Sequence, residues 1–226
     1  MKKAILFDLD GTILDFKKSE EIALKKVFLK RKVLLDEEKV FLYTRINRKF
    51  WNMLAEGKMS KEKVVVARFK EFLKELNVPF DPREIAIDYL EALSEEAYFL
   101  PGAEEFLEEM KEKGYRMAAV TNGIRFVQEN RSRKLNLDRF FEFVLTSEEA
   151  GFEKPDPRIF WLALERMNLK KCEIVYVGDD LKSDLEGARN AGIDFILFSP
   201  EINIIVENCH VARNFEELKD IIETLR

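Results

Sequence analysis

The chain has 226 residues, 46% of them hydrophobic, and a formal net charge of −5. That length and composition support a packed core, as one large domain or as one of ordinary size with a smaller companion. The acidic balance argues against a nucleic acid polymer as partner, because such binding rests on clustered Lys and Arg. A phosphate-bearing small molecule stays compatible, since a local site can be positive within an acidic protein.

No apolar run approaches the roughly eighteen residues of a membrane span. Ala4–Phe7, behind Lys2 and Lys3, is too short for a signal peptide. The expectation is a soluble cytoplasmic protein with no membrane partner, a monomer or homodimer. His210 is the only histidine, which excludes a His-rich metal site and a Ser-His-Asp triad. Cys172 and Cys209 have no metal-ligand spacing and read as buried or idle thiols. The high charged share beside a single glutamine, Gln128, points to a thermophilic source.

Lys3–Phe7 reads as a buried parallel strand ending at Asp8, with Gly11-Thr12 as a turn. From Asp15 to Glu96 the pattern is helical. Ser19 and Ser60 are candidate helix caps, and Asp81-Pro82 with Glu84 is a strong helix start. After Leu100-Pro101-Gly102, helices and short strands alternate. Helix 104–113 leads to strand 115–120, and helix 126–135 to strand 143–146. Helix 157–167, opened by Asp156-Pro157, leads to strand 174–177. Helix 185–191, strand 195–198 and helix 216–225 follow. Such alternation predicts an α/β fold: a Rossmann-like parallel sheet with helices on both faces. The expected domains are a core of residues 1–14 and 97–226 and an inserted all-helical domain of residues 15–96.

In parallel sheets of this kind, ligands bind at the carboxyl ends of the strands. Asp8 and Asp10 follow the first strand, Thr121 and Asn122 the second, and Asp179 and Asp180 a later one, with Asp184 close behind. Lys154 lies in the loop Glu153–Pro157. Asp8 and Asp10, two apart, project to one side. So many neighbouring carboxylates disfavour mutual ionisation, and Lys154 alone cannot offset them. A divalent cation can, and oxygen ligands without His or Cys suit Mg²⁺ better than Zn²⁺. Taken singly, each motif has a bland reading: solvated acids at a turn, an ordinary Thr-Asn-Gly turn, one surface lysine among many.

Together and in this order, Asp8-Leu9-Asp10-Gly11-Thr12, Thr121, Lys154 and Gly178-Asp179-Asp180 with Asp184 resemble the four motifs of the haloacid dehalogenase (HAD) superfamily. The resemblance implies that Asp8 is a nucleophile taking up a phosphoryl group. It implies that Asp10 protonates the leaving alcohol and then activates water. Thr121, Lys154 and backbone N–H groups near Asn122 would hold the phosphoryl oxygens. Asp8, the carbonyl of Asp10 and Asp179 would bind Mg²⁺, and Asp180 and Asp184 would orient metal waters or Lys154. An acid at position 10 favours a phosphatase, since the dehalogenases of the superfamily lack it.

The helical insert has the position of a C1-type cap. Asn47 and Trp51, the Glu56-Gly57-Lys58 turn, Arg68-Phe69, Asp15-Phe16 and Gln128 look similar to elements of the pyrimidine 5′-nucleotidase subfamily. That likeness implies a nucleoside 5′-monophosphate as substrate, with Trp51 or Phe16 stacking on a base and Asn47 or Arg45 reading its edge. The competing readings are a phosphosugar or phosphoglycolate phosphatase or phosphomutase, a 2-haloacid dehalogenase, and a HAD-fold binding protein without catalysis.

Overall fold

The computed structural model describes residues 2–200 and 205–225. In chain order it has β1 (Ala4–Phe7), α1 (Phe16–Lys30), α2 (Glu37–Ala55), α3 (Lys61–Leu76), α4 (Pro82–Ser94), α5 (Ala103–Glu112), β2 (Arg116–Thr121) and α6 (Arg125–Lys134). Then come β3 (Val144–Thr146), α7 (Ser147–Ala150), α8 (Pro157–Met167), β4 (Ile174–Gly178), α9 (Glu186–Ala191), β5 (Asp194–Phe198), β6 (His210–Ala212) and α10 (Phe215–Thr224). The chain divides into two compact units, Met1–Phe16 with Tyr98–Arg226, and Lys17–Ala97.

The first unit is the α/β body. Its described strands form one parallel sheet in the order β3-β2-β1-β4-β5-β6. All of β1 is buried, and its alternation decides which core each residue joins. Ile5 and Phe7 pack with Phe106, Leu107 and Met110 of α5 and Leu218 and Ile222 of α10. Ala4 and Leu6 pack with Ile159, Phe160 and Ala163 of α8 and Ala188 of α9. The sheet is thus covered on both faces, which is why its strands are apolar throughout rather than alternating. From β1 the chain goes to β2 on one side and later to β4 on the other. The order therefore reverses beside β1, and such a reversal leaves a crevice at the carboxyl ends of the strands.

The expected strands and helices of this unit are present within a few residues. Among the described elements that were not foreseen are β6 and α7. β6 is a three-residue edge strand, too short for a periodic signal. α7 is a single turn capped by the Thr146 hydroxyl, which accepts from Glu149 N–H at 3.3 Å. Cys172 and Cys209 are free thiols, the first exposed and the second half-buried.

The second unit is helical, as its sequence pattern predicts. Asp81 accepts from Arg83 N–H, with Pro82 opening α4. Asp36 caps α2 in the same manner, accepting from Lys39 N–H. Ser60 stands at the start of α3 but makes no side-chain cap bond. Ser19 is not a cap: α1 starts three residues earlier, at Phe16, and Ser19 is buried inside it. The core of the unit is aromatic. Tyr43 stacks on Phe69 with centroids 5.2 Å apart, and Phe28 meets Phe72 edge-on at 5.4 Å. Beside these rings lies a buried polar cluster. Glu20 accepts from Thr44 at 2.8 Å and from Asn47 at 2.6 Å, and Arg68 donates to Asn47 Oδ1 at 2.6 Å. Burial raises the pKa of Glu20, and Thr44, Arg68 and Asn47 offset part of that rise.

Candidate active site

The strand ends of the α/β unit deliver the predicted residues to one place. The Asp8 N–H donates to the Val177 carbonyl at 2.8 Å, so the ladder with β4 runs one residue past β1 and holds Asp8 at the sheet edge. Lys154 arrives from the loop ahead of α8. Its buried ammonium donates to Asp8 Oδ1 at 2.5 Å, Asp184 Oδ1 at 2.7 Å and the Tyr176 hydroxyl at 2.9 Å. Those acceptors use all three of its N–H bonds. Tyr176 in turn donates to Asp184 Oδ1 at 2.6 Å, and the Asp180 N–H donates to Asp184 Oδ2 at 3.1 Å.

The loop that carries Lys154 is tied to the end of β2. Asn122 Nδ2 donates to the Lys154 carbonyl at 2.9 Å, and Asn122 Oδ1 accepts from the Lys154 N–H at 2.8 Å. The resemblance implies phosphate contacts from backbone N–H groups near Asn122, while the Asn122 side chain itself makes this two-bond bridge. Thr121 is buried, and its hydroxyl oxygen accepts from the Gly123 N–H at 3.0 Å.

Carboxylate oxygens of Asp8, Asp179 and Asp184 lie within 4.8 Å of one another. Gly11 makes room for this group. Its φ is +88°, and a Cβ there would stand 2.4 Å from Asp179 Oδ2. Burial pushes the Asp8 carboxyl up to about 7; Lys154 opposes the shift, and Asp184 and Asp10 add to it. Asp179 is also held well above the carboxylate range, by dehydration and by repulsion from Asp8, Asp184 and Asp180. Because Asp179 keeps an exposed side, the repulsion is the better-founded cause. Burial disfavours the charge on Lys154, yet Asp184 and Asp8 outweigh it and hold the ammonium above the lysine range. Three carboxylates against one ammonium leave a formal excess of about two negative charges.

The side chains of the remaining candidates have other partners. Asp180 Oδ1 accepts from the Lys182 N–H, the Ser183 N–H and the Ser183 hydroxyl at 2.9, 2.7 and 2.9 Å. Its carboxylate caps the turn over Leu181–Leu185 instead of reaching Lys154. Asp10 stands apart from the three-carboxylate group and faces α6, where Arg131 Nη1 donates to Oδ1 at 2.5 Å and Gln128 Nε2 to Oδ2 at 2.6 Å. In the helical unit, Asn47 is 5% exposed, and the bonds to Glu20 and Arg68 engage both ends of its amide. Trp51, on the same helix, is half-buried. Phe41, Thr44, Arg45, Arg48, Lys49 and Asn52 line a groove on α2.

Sequence reading missed two residues of this site. Tyr176 sits in the apolar run Ile174–Val177, where one hydroxyl among aliphatic side chains was the available signal. Arg131 lies four residues after Val127 on the buried face of α6, and a charge in that register is the corresponding clue.

The family model described as haloacid dehalogenase-like hydrolase matches residues 5–198. The HAD-hydrolase YfnB of Bacillus subtilis is 31% identical over 97% of this chain and 95% of its own length. A crystal structure of YfnB bound to magnesium aligns with a TM-score of 0.91 over 98% of each chain. The pyrimidine 5′-nucleotidase PynA of Streptococcus pneumoniae is 29% identical over 98% of this chain and 95% of its own. The ribulose-1,5-bisphosphate 5-phosphatase of Halopiger xanaduensis is 31% identical over 100% of this chain and 97% of its own.

Proposed function

We propose that this chain, which belongs to the haloacid dehalogenase-like hydrolase family, is a Mg²⁺-dependent phosphomonoesterase whose nucleophile is Asp8. The observation that carries the proposal is the convergence of Asp8, Lys154, Asp179 and Asp184 at the strand ends, with a second acid, Asp10, two residues along. A dehalogenase reading leaves the carboxylate excess and Asp10 without a use.

A divalent cation fits the donor set. Its ligands would be oxygens, the cluster has excess negative charge, and Gly11 leaves Asp179 close to the Asp8 turn. Asp8, Asp179 and the carbonyl of Asp10 would hold Mg²⁺, with Asp184 positioned next to them. When bound, the ion neutralises charge on the phosphoryl oxygens. Asp8 attacks phosphorus and forms an aspartyl-phosphate, while the bond to the leaving oxygen breaks and Asp10 supplies its proton. Asp10 then takes a proton from the water that cleaves the intermediate. Lys154 holds Asp8 in line and offsets charge there. Thr121 supplies a hydroxyl beside the phosphoryl site, and Asn122 keeps the Lys154 loop in register.

The helical unit, residues 17–97, would act as a cap that excludes water and selects the leaving group. Likeness to PynA over nearly the whole chain supports a nucleoside 5′-monophosphate with a pyrimidine base as substrate. Trp51 remains the candidate for stacking on the base. Asn47 is a weaker candidate for reading its edge than the sequence suggests, because Glu20 and Arg68 already engage its amide. A phosphosugar is the second reading, supported by the equally extensive likeness to the ribulose-bisphosphate phosphatase. Phosphate release from nucleoside monophosphates, sugar phosphates and phosphoglycolate, with Mg²⁺ and with EDTA, tests the proposal. Mg²⁺-dependent release with uridine or thymidine monophosphate in the lead is expected. Release of no phosphate from any ester would overturn it.

A further inference from the structure

Asp10 is held from two directions by one helix. Arg131 Nη1 reaches its Oδ1 at 2.5 Å, and Gln128 Nε2 reaches its Oδ2 at 2.6 Å. The two donors are three apart on α6 and therefore share a face. Neither is an incidental surface contact, since Arg131 is 0% exposed and Gln128 1%. A fully buried guanidinium is rare unless paired, and here it is ion-paired with Asp10. Arg131 also lies over the Phe16 ring at 5.9 Å.

The place of Gln128 is built into the chain as well. A Cβ on Gly123 would come within 2.1 Å of Gln128 Nε2 and 2.8 Å of its Cδ, so only glycine at 123 leaves the amide its path. The same Nε2 lies 3.5 Å from the Thr121 hydroxyl, and Arg131 Nη1 lies 3.4 Å from Gln128 Oε1. The end of β2 and the first turns of α6 thus form one unit around the Asp10 carboxylate.

We propose that Arg131 and Gln128 are positioning residues that clamp both oxygens of Asp10 and set where it can meet the leaving oxygen. This rests on the phosphomonoesterase reading and assigns two residues that the four motifs do not include. The clamp orients the proton-transfer group, so its loss weighs most where proton transfer to the leaving group matters. An alkyl phosphate needs its leaving oxygen protonated. p-Nitrophenyl phosphate does not, because its leaving group is a stable anion. The ratio of kcat/KM for alkyl over aryl ester isolates this step, since kcat/KM excludes the later hydrolysis of the intermediate.

The experiment compares wild type, Asp10→Asn, Arg131→Met, Gln128→Met and Asp10→Asn/Arg131→Met. The esters are p-nitrophenyl phosphate and whichever of uridine 5′-monophosphate and glycerol 3-phosphate the wild type turns over better. Asp10→Asn should lower the alkyl-to-aryl ratio by about 100-fold or more, the scale of general acid catalysis. Arg131→Met should lower it by about tenfold or more in the wild-type background and change it little beside Asp10→Asn. If Arg131→Met does not fold, Gln128→Met decides, with an expected fall of about threefold or more. An equal loss on both esters, or a ratio unchanged in the clamp variants while Asp10→Asn lowers it, overturns the clamp alone. Wild-type protein that cleaves neither ester with Mg²⁺ overturns the phosphatase reading itself.

Discussion

Replacing Lys154 by Met removes a buried ammonium and keeps most of the side-chain volume. In the folded protein that ammonium is bonded to Asp8, Asp184 and Tyr176, and both carboxylates are buried. Breaking a buried ion pair from one side costs about 3–5 kcal/mol, because the partner's charge stays behind without compensation. For a chain of this size each kcal/mol moves the midpoint by about 2–4 °C, so melting should fall by roughly 6–20 °C at pH 8 in EDTA. The loss should shrink as pH falls. Asp8 is already pushed up to about 7 by burial, with Lys154 opposing, so a proton can replace the missing ammonium at pH 5.5. Differential scanning calorimetry of both proteins at pH 5.5 and 8 reads this directly. A midpoint within about 3 °C of wild type at pH 8 would refute the claim that Lys154 neutralises a buried cluster.

Three further outcomes follow from the same geometry. Asp8→Asn should abolish phosphate release while the circular dichroism spectrum and the melting midpoint stay close to wild type or above. Turnover within tenfold of wild type would remove Asp8 as nucleophile. Gly11→Ala forces a side chain into a backbone with φ of +88° and a Cβ 2.4 Å from Asp179 Oδ2. It should cost about 1–2 kcal/mol from the backbone alone, plus displacement of Asp179, and raise the Mg²⁺ concentration needed for half-maximal activity. An unchanged requirement would separate Asp179 from the metal. Finally, Asp8 has a raised folded pKa, so its contribution to stability is full below the unfolded value of 3.8 and is lost as pH rises through about 7. Metal-free protein should therefore melt lower at pH 8 than at pH 5.5, and Mg²⁺ should raise the midpoint more at pH 8. A Mg²⁺ effect that is equal at both values, or larger at pH 5.5, would count against the carboxylate cluster as the binding site.

Much of this molecule is legible from residue order. Alternating short apolar runs and amphipathic stretches identify the parallel sheet, because each strand must be buried on both faces. Motif residues are legible because a strand end projects them into the crevice wherever the sheet is built: Asp8 after β1, Thr121 at the end of β2 and Asp179 after β4. What stayed hidden depends on pairing across long separations. Asp10 and Arg131 are 121 residues apart, and nothing local to either announces the other. Asp180 was grouped with Asp179 and Asp184 by proximity in sequence, yet its carboxylate accepts from the backbone N–H groups of Lys182 and Ser183, as Asp side chains do at helix starts. Ser19 satisfied the composition of a cap, but α1 has its first turn upstream.

Residue order therefore determined the class of fold and the set of charged groups that meet at the strand ends. Those follow from periodicity and from groups placed next to strand termini, which are local properties of the chain. Tertiary structure alone decided what each group does there. It joined Lys154 to Tyr176 and Asp184 and turned the Asp10 carboxylate onto Arg131 and Gln128 of α6. It also engaged the amide of Asn47 with Glu20 and Arg68. In each case a buried polar group must find a partner, and which partner lies within about 3 Å is a property of packing that no window of sequence contains.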